Sequence, residues 1–167
     1  TGMDSKLRYD IIEILAQDAR RSAASIASML GNTEEEVRRE IGQMEAENII
    51  LKYSAVINEE RVEDERSVHA LIEVHVVPQA RHGYEAIAKN ICMYEEVRSC
   101  YLMSGTYDYM VLVDGRSVRD VAQFVAERLS VIEGVTGTAT HFVLRKYKDN
   151  HVVIHVKNDD KRQVVTP

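Results

Sequence analysis

The sequence predicts an α+β fold in two parts, a helical N-terminal domain and a C-terminal α/β sandwich. Three observations carry this. Over roughly the first fifty residues, apolar side chains recur at helical spacing, with capping residues between the runs. From residue 68 to 145, apolar segments switch between strand period and helix period in the order β-α-β-β-α-β. The length, 167 residues, accommodates two small domains. Apolar residues make up 45% and charged residues 29%, the balance of a globular chain rather than a disordered one. No run approaches about 18 apolar residues, so no membrane span is expected. No basic segment leads into an apolar leader, so a cytoplasmic protein is expected. Cys92 and Cys100 offer neither a disulfide framework nor C-x-x-C metal spacing, and read as small buried apolar residues in a reducing compartment.

In Ser5–Gln17 the residues Leu7, Ile11, Ile14 and Leu15 share one helical face. Ser22 can cap a short second helix with Ala23, Ile26, Ala27 and Leu30 inward, and Gly31 can close it in a left-handed cap. Thr33 with Glu36 forms a capping box that opens a third helix with Val37, Ile41 and Met44 inward. The β-branched and aromatic run Ile49–Ile57 predicts a strand. Helix, short helix, glycine turn, helix is either a helix-turn-helix or a generic three-helix bundle.

In the second part, Ala70, Ile72, Val74 and Val76 alternate with His69, Leu71, Glu73 and His75, a strand with one strongly apolar face, and Pro78 ends it. Tyr84, Ile87, Ala88 and Ile91 make a helical face. A second strand covers Val97–Ser104 and a third Tyr109–Val113. The short break Gly105-Thr106-Tyr107-Asp108 between them predicts an antiparallel hairpin. Ser117 starts a helix lined by Val118, Val121, Ala122, Val125 and Leu129, and a fourth strand runs Val135–Arg145. This order predicts the ferredoxin-like unit, with two helices on one sheet face. The other face, around Ile72, Val97, Val111 and Leu144, is expected to be bare and to be covered by a second copy.

Charge is unevenly spread. The net −6 divides into −5 over residues 1–60, −4 over 61–144 and +3 over 145–167. Only the tail has a basic excess, whereas a nucleic-acid binder usually carries a basic stripe. Thr33–Glu47 alone holds six glutamates against Arg38 and Arg39. In the first helical turn Glu34, Glu35 and Glu36 favour the helix dipole, yet they repel phosphates at the end that should approach them.

Taken in order, several local motifs resemble the Lrp/AsnC (feast/famine) family of transcriptional regulators over about residues 3–147. Ile11-Ile12-Glu13-Ile14-Leu15 with Asp18 and Arg20, then Ser22, Ile26-Ala27 and Gly31, are similar to the first two helices of that family. Val37-Arg38-Arg39, Ile41, Glu45 and Ile49-Ile50 resemble the recognition helix and its exit, and Tyr53-Ser54-Ala55 the strand that follows. Glu96-Val97, Cys100-Tyr101 and Ser104-Gly105-Thr106-Tyr107-Asp108-Tyr109 resemble the second strand and G-x-Y-D hairpin of the ligand-binding domain. Gly134-Val135, Thr138, Thr140, Val143 and Leu144 resemble its last strand. The chain departs from the pattern in its acidic recognition helix, in Thr106 where an acidic residue is common, and in running on beyond Tyr147.

The resemblance implies a winged-helix-like helix-turn-helix DNA-binding domain over residues 3–53 and a linker strand over 54–67. It implies a ferredoxin-like (RAM-type) ligand-binding and oligomerisation domain over 68–147, with a C-terminal extension over 148–167. The implied partners are double-stranded DNA, an amino-acid or related effector, and a second copy in a homodimer or higher oligomer, with no membrane. DNA contacts are expected from Arg38 and Arg39, with Arg20, Arg21, Ser22, Thr33 and Lys52 positioning phosphates. A local Glu36–Arg39 pair competes with that role. For the effector, Gly105, Thr106, Tyr107 and Asp108 would cradle the charged ends, Asp108 taking an ammonium and Tyr107 capping an apolar side chain, with hydroxyls from Thr136, Thr138 and Thr140. Asp108→Ala is then expected to abolish binding and leave the fold intact.

No catalytic residues, cofactor or metal are expected. His69 and His75 share a strand face but lie roughly 20 Å apart along it. His151 and His155 flank a strand-like Val152-Val153-Ile154, and His82 and His141 have no matching partner. Two alternatives stand beside the regulator. One is a metabolite-binding oligomer that has lost DNA binding, supported by the acidic helix. The other is an enzyme like the sirohaem decarboxylases that share this layout.

Overall fold

A computed structural model describes residues 2–62, 67–77 and 83–154, without the side chains of residues 2–4. Pro78, His82 and His155 lie outside the described residues. The chain divides into two units, Thr1–Ile57 and Asn58–Pro167.

The first unit is three helices, α1 (Gly2–Gln17), α2 (Ala23–Leu30) and α3 (Glu34–Ala46). Ile11, Ile26, Val37 and Met44 are fully buried between them, with Leu7, Ile14, Leu15, Ala23, Leu30 and Ile41 packed around. Ser22 Oγ accepts from the Ser25 amide and caps α2. Gly31 at φ +72° closes it. The Thr33–Glu36 capping box forms in full.

The strand expected over Ile49–Ile57, continuing into a linker strand from 54, is not formed, and residues 51–58 have no regular structure. A strand needs a neighbour for its ladder, and none is formed among the described residues of this unit. The segment is left with Ile49, Leu51, Tyr53, Val56 and Ile57 exposed.

The second unit opens with a 3₁₀ turn, Glu59–Arg61. Then follow β1 (Val68–Val76), α4 (Tyr84–Cys92), β2 (Val97–Leu102), β3 (Tyr109–Gly115), α5 (Val118–Phe124, running on as a π turn over Val125–Leu129) and β4 (Val135–Phe142). The sheet is antiparallel in the order β2-β3-β1-β4, the ferredoxin-like arrangement. Ala70, Ile72, Val74, Tyr109, Val111 and Val113 meet Ile87, Ile91, Val121, Phe124 and Leu129 in one core. Gly115 is required here, because a Cβ would stand 2.7 Å from Val121 Cγ2. In α5, Val118 is exposed and Ala122 faces out, while Phe124 is buried. The inner face thus runs Val121, Phe124, Val125, Leu129 rather than through Val118 and Ala122.

The expected bare face needs correction. Ile72 and Val111 are fully buried beneath the helices, and Val97 packs on the same core. On β1 and β3 the more apolar side is the one the helices cover, since that burial removes the most apolar area from water. The open face carries the alternate residues: Leu71, Glu73 and His75 on β1, with Met110 and Leu112 opposite on β3. Leu144 lies beyond β4, almost fully exposed. Cys92, the last residue of α4, is exposed rather than buried. Cys100 is half-buried against the core, its thiol pushed up to about 12 by burial and then by Cys92. A small hairpin, β5 (Lys148–Asp149) and β6 (Val152–Val153), follows the sheet. Asn150 and His151 turn it with positive φ, and the buried Ile154 donates its amide to the Tyr147 carbonyl.

Candidate nucleic-acid face and effector loop

The helix-turn-helix unit is held at a defined helix crossing by Arg8 of α1. Its Nε bonds Glu40 at 3.0 Å, and its two terminal nitrogens reach Glu47 at 2.7 and 3.2 Å and Gln43 at 3.1 Å. The guanidinium is held above its ordinary value, first by the Glu47 hydrogen bond and then by Glu40. Glu47 is held below its own by Arg8. Glu40 is the buried charged residue of the unit, at 4% exposure. This clamp was missed in the sequence. Its signal is the polar stripe Glu40-Gln43-Glu47, at i, i+3 and i+7 beside the apolar stripe.

Ser22 and Thr33 use an oxygen lone pair for their caps, which leaves each hydroxyl hydrogen able to donate to a phosphate. Glu36 is spent on the capping box. Its carboxylate accepts from the Thr33 amide at 2.9 Å and is held below its ordinary value by that bond first. The expected Glu36–Arg39 pair is therefore only a charge acting at a distance. Arg39 lies 3.9 Å from Glu40, and Arg38 is bonded to Glu34 one turn back. Both arginines remain largely exposed, at 73% and 60%. Arg21 pairs with Asp18 at 3.2 Å, the Arg20 amide bonds the same carboxylate, and Lys52 is exposed on the irregular segment. Tyr53 donates to Glu45 at 2.8 Å.

In the second unit the β2–β3 hairpin presents Gly105-Thr106-Tyr107-Asp108 at its tip, with Gly105 at φ +122°. Its base is latched to β1 through Asp108. The Asp108 amide donates to the Val74 carbonyl at 3.0 Å, and Asp108 Oδ2 accepts from the Val76 amide at 2.9 Å. The Met103 amide closes the loop on the Asp108 carbonyl at 2.8 Å. Asp108 thus anchors the loop to β1 as well as facing the proposed effector, so its removal takes away a bond of the sheet together with a ligand group. Between these anchors, the amides of Gly105, Thr106 and Tyr107 make no hydrogen bond among the described residues. Buried Tyr109 steadies the next position, donating to the Tyr84 carbonyl at 2.6 Å. Burial pushes its phenol up to about 12.

The sheet brings the first part of β4 to the same end of β1. Thr136 donates to the His75 carbonyl at a bulge, and Thr138 lies opposite Val74. Thr140 lies further along, opposite Ile72. Among the described residues no group of three or more His, Cys, Asp or Glu side chains is placed so that it could hold a metal ion.

A helix-turn-helix unit followed by a β-α-β-β-α-β sandwich with an open hairpin loop defines a DNA-binding regulator with a ligand-binding domain. The family model for the Lrp/AsnC ligand-binding domain matches residues 69–153. An uncharacterised helix-turn-helix-type transcriptional regulator of Bacillus subtilis strain 168, YugG, is 42% identical over 158 residues, 95% of each chain. Among solved structures, the leucine response regulatory protein LrpA of Mycobacterium tuberculosis superimposes with a TM-score of 0.72 at 23% identity, covering 89% of this chain and 98% of that one. The regulator NMB0573 of Neisseria meningitidis, in an L-Met complex, gives 0.68 at 24% identity over 86% and 92%. The chain belongs to the Lrp/AsnC family: it is a transcriptional regulator with a ligand-binding domain, and its relatives are named as regulators, not enzymes. Among the described residues no helix is long and apolar enough to cross a membrane.

Proposed function

We propose that this regulator senses an amino acid at the 105–108 hairpin and reads DNA through α3, acting in the cytoplasm as a homodimer or a multiple of one. The observation that carries the effector reading is the loop itself. Three successive amides, unbonded among the described residues, lie between two anchored ends, a ready set of donors for an α-carboxylate. Asp108 offers its second carboxylate oxygen to the ammonium group, and Thr136 and Thr138 lie at the same end of β1. The L-Met complex of the Neisseria meningitidis fold neighbour supports the same chemistry. The dimer reading rests on the open sheet face, where Leu71, Met110 and Leu112 are only half-buried. A thermal-shift screen of the twenty amino acids tests the sensor, since a bound effector stabilises by RT ln(1 + [L]/Kd). No stabilisation by any of them at millimolar concentration overturns the amino-acid reading.

The DNA contacts are assigned to Arg38 and Arg39, with Arg20, Arg21, Ser22, Thr33 and Lys52 on the backbone. One observation favours the second reading, an oligomer that has lost DNA binding: Arg38 is bonded to Glu34, and Arg39 stands near Glu40. Selection from a random duplex library separates the two, because only a working recognition helix enriches a sequence.

A further inference from the structure

The chain has two cysteines, and the fold brings them together. Cys92 is the last residue of α4, and Cys100 sits in β2 opposite Val111 of β3. The short connection Met93–Glu96 turns the helix end back toward the strand. It is closed by the Tyr94 amide on the Ile91 carbonyl and by the Val97 amide on the Tyr94 carbonyl at 3.1 Å. Across this turn the Cys100 thiol hydrogen-bonds the Cys92 sulfur.

The two sulfurs differ in access. Cys92 is exposed, whereas Cys100 is half-buried and packs on the core beneath the helices. Filling a core explains Cys100, but not an exposed thiol held against it. An accessible cysteine with a second thiol beside it is the arrangement of a redox-sensing site. In a reducing compartment such a pair is oxidised transiently rather than kept as a permanent cross-link.

We propose that Cys92 and Cys100 form a reversible oxidation site, at which a hydroperoxide such as hydrogen peroxide converts the dithiol to a disulfide that pins the end of α4 to β2. The exposed Cys92 sulfur attacks a peroxide oxygen. The O–O bond breaks, Cys92 becomes a sulfenic acid, and hydroxide leaves with the thiol proton as water. The Cys100 sulfur then attacks the Cys92 sulfur. The S–O bond breaks as the S–S bond forms, and a second hydroxide leaves with the Cys100 proton as water. The two sulfurs give up two electrons, and the peroxide is reduced to two waters. From Cys100, β2 runs on through Leu102 to Met103, whose amide closes the 105–108 hairpin, so the bond braces the strand that carries that loop.

The full-length chain is treated with hydrogen peroxide, blocked with iodoacetamide and digested with trypsin. Cleavage after Lys89, Arg98 and Arg116 places the cysteines on separate peptides, 90–98 and 99–116, which only a disulfide can join. The joined pair is expected from the monomer band of a non-reducing gel. The oxidised protein is expected to melt at least about 5 °C higher, since the bond closes a short loop in the unfolded chain. Dithiothreitol should reverse that rise, because it leaves any methionine sulfoxide in place. Cys92→Ser should show neither the joined peptides nor the rise. In Cys100→Ala the sulfenic acid has no partner, and dimedone should label Cys92. Two alkylated, unjoined cysteines after peroxide overturn the site, as does a disulfide found only between two copies. An oxidised chain that melts within a degree of the reduced one overturns the pinning. Should Cys100→Ala fail to fold, wild type and Cys92→Ser decide, since Cys92 lies outside the core.

Discussion

Asp108 links the proposed sensing loop to the sheet, and replacing it separates a binding role from a folding one. Asp108→Ala removes the acceptor of the Val76 amide, a 2.9 Å bond to a buried position of β1. The orphaned amide cannot turn to β4 instead, because Val76 sits at the bulge where the β1–β4 register shifts. A hydrogen bond to a charged group contributes about 1.5–3 kcal/mol, and leaving its partner unsatisfied costs a similar amount. For a unit of this size each kcal/mol moves the melting temperature by roughly 4–8 °C, so the second unit should melt about 10 °C lower. Asp108→Asn keeps an acceptor oxygen and should recover more than half of that. The assay is far-UV circular dichroism on heating, with tyrosine fluorescence as a second probe, since the chain has no tryptophan. Effector binding is then compared at a temperature where all three proteins are folded, and the Asn variant should still bind more weakly, having lost the charge offered to an ammonium. If Asp108→Ala melts within a degree of wild type, the latch contributes nothing and the argument from the Val76 bond fails.

Other consequences can be tested directly. Arg38→Ala with Arg39→Ala should weaken DNA binding and lower the salt-dependence slope by about one per lost phosphate contact, measured by fluorescence anisotropy at two salt concentrations. Glu34→Gln with Glu35→Gln should raise affinity for a scrambled duplex more than for the selected operator, since it frees Arg38 and removes repulsion without touching the capping box. Gly115→Ala should cost about 1–3 kcal/mol in urea unfolding, because the new Cβ meets Val121 at 2.7 Å across the β3–α5 junction. Glu36 and Glu47 are both held below their ordinary value near 4.5, so the stability they give is present above that value and is lost as pH falls through their folded values. The helical unit should therefore weaken in acid, and circular dichroism of Glu47→Gln between pH 6 and 3 should show a shallower fall than wild type.

The features legible in the sequence are those set by near neighbours. The Ser22 and Thr33 caps, the left-handed Gly31 and the β2–β3 hairpin each depend on residues within a few positions, so spacing reveals them. The features that escaped depend on distant partners. Glu40 reads as one more surface glutamate until Arg8, 32 positions away, is placed against it. Ile49–Ile57 has strand composition, but composition supplies no neighbouring strand. Alternation in β1 separates its two faces correctly, yet the assignment of Ile72 and Val111 to the open side failed because periodicity does not say which side the helices take. In the loop, Gly105 and Asp108 are visible as turn formers, whereas the bond from Asp108 to Val76 depends on the β1–β3 register.

The Arg8 clamp divides α3 lengthwise. On one side Glu40, Gln43 and Glu47 all bond Arg8, and on the other Glu34 and Glu35 have no part in the core or the capping box. Substitutions on the outer side can accumulate without altering the angle at which the helix is presented. With α3 as the proposed reading helix, duplicated copies of such a gene can diverge in the sequences they recognise while inheriting one unchanged scaffold, and a change on the inner side would have to be matched at Arg8 in the same lineage.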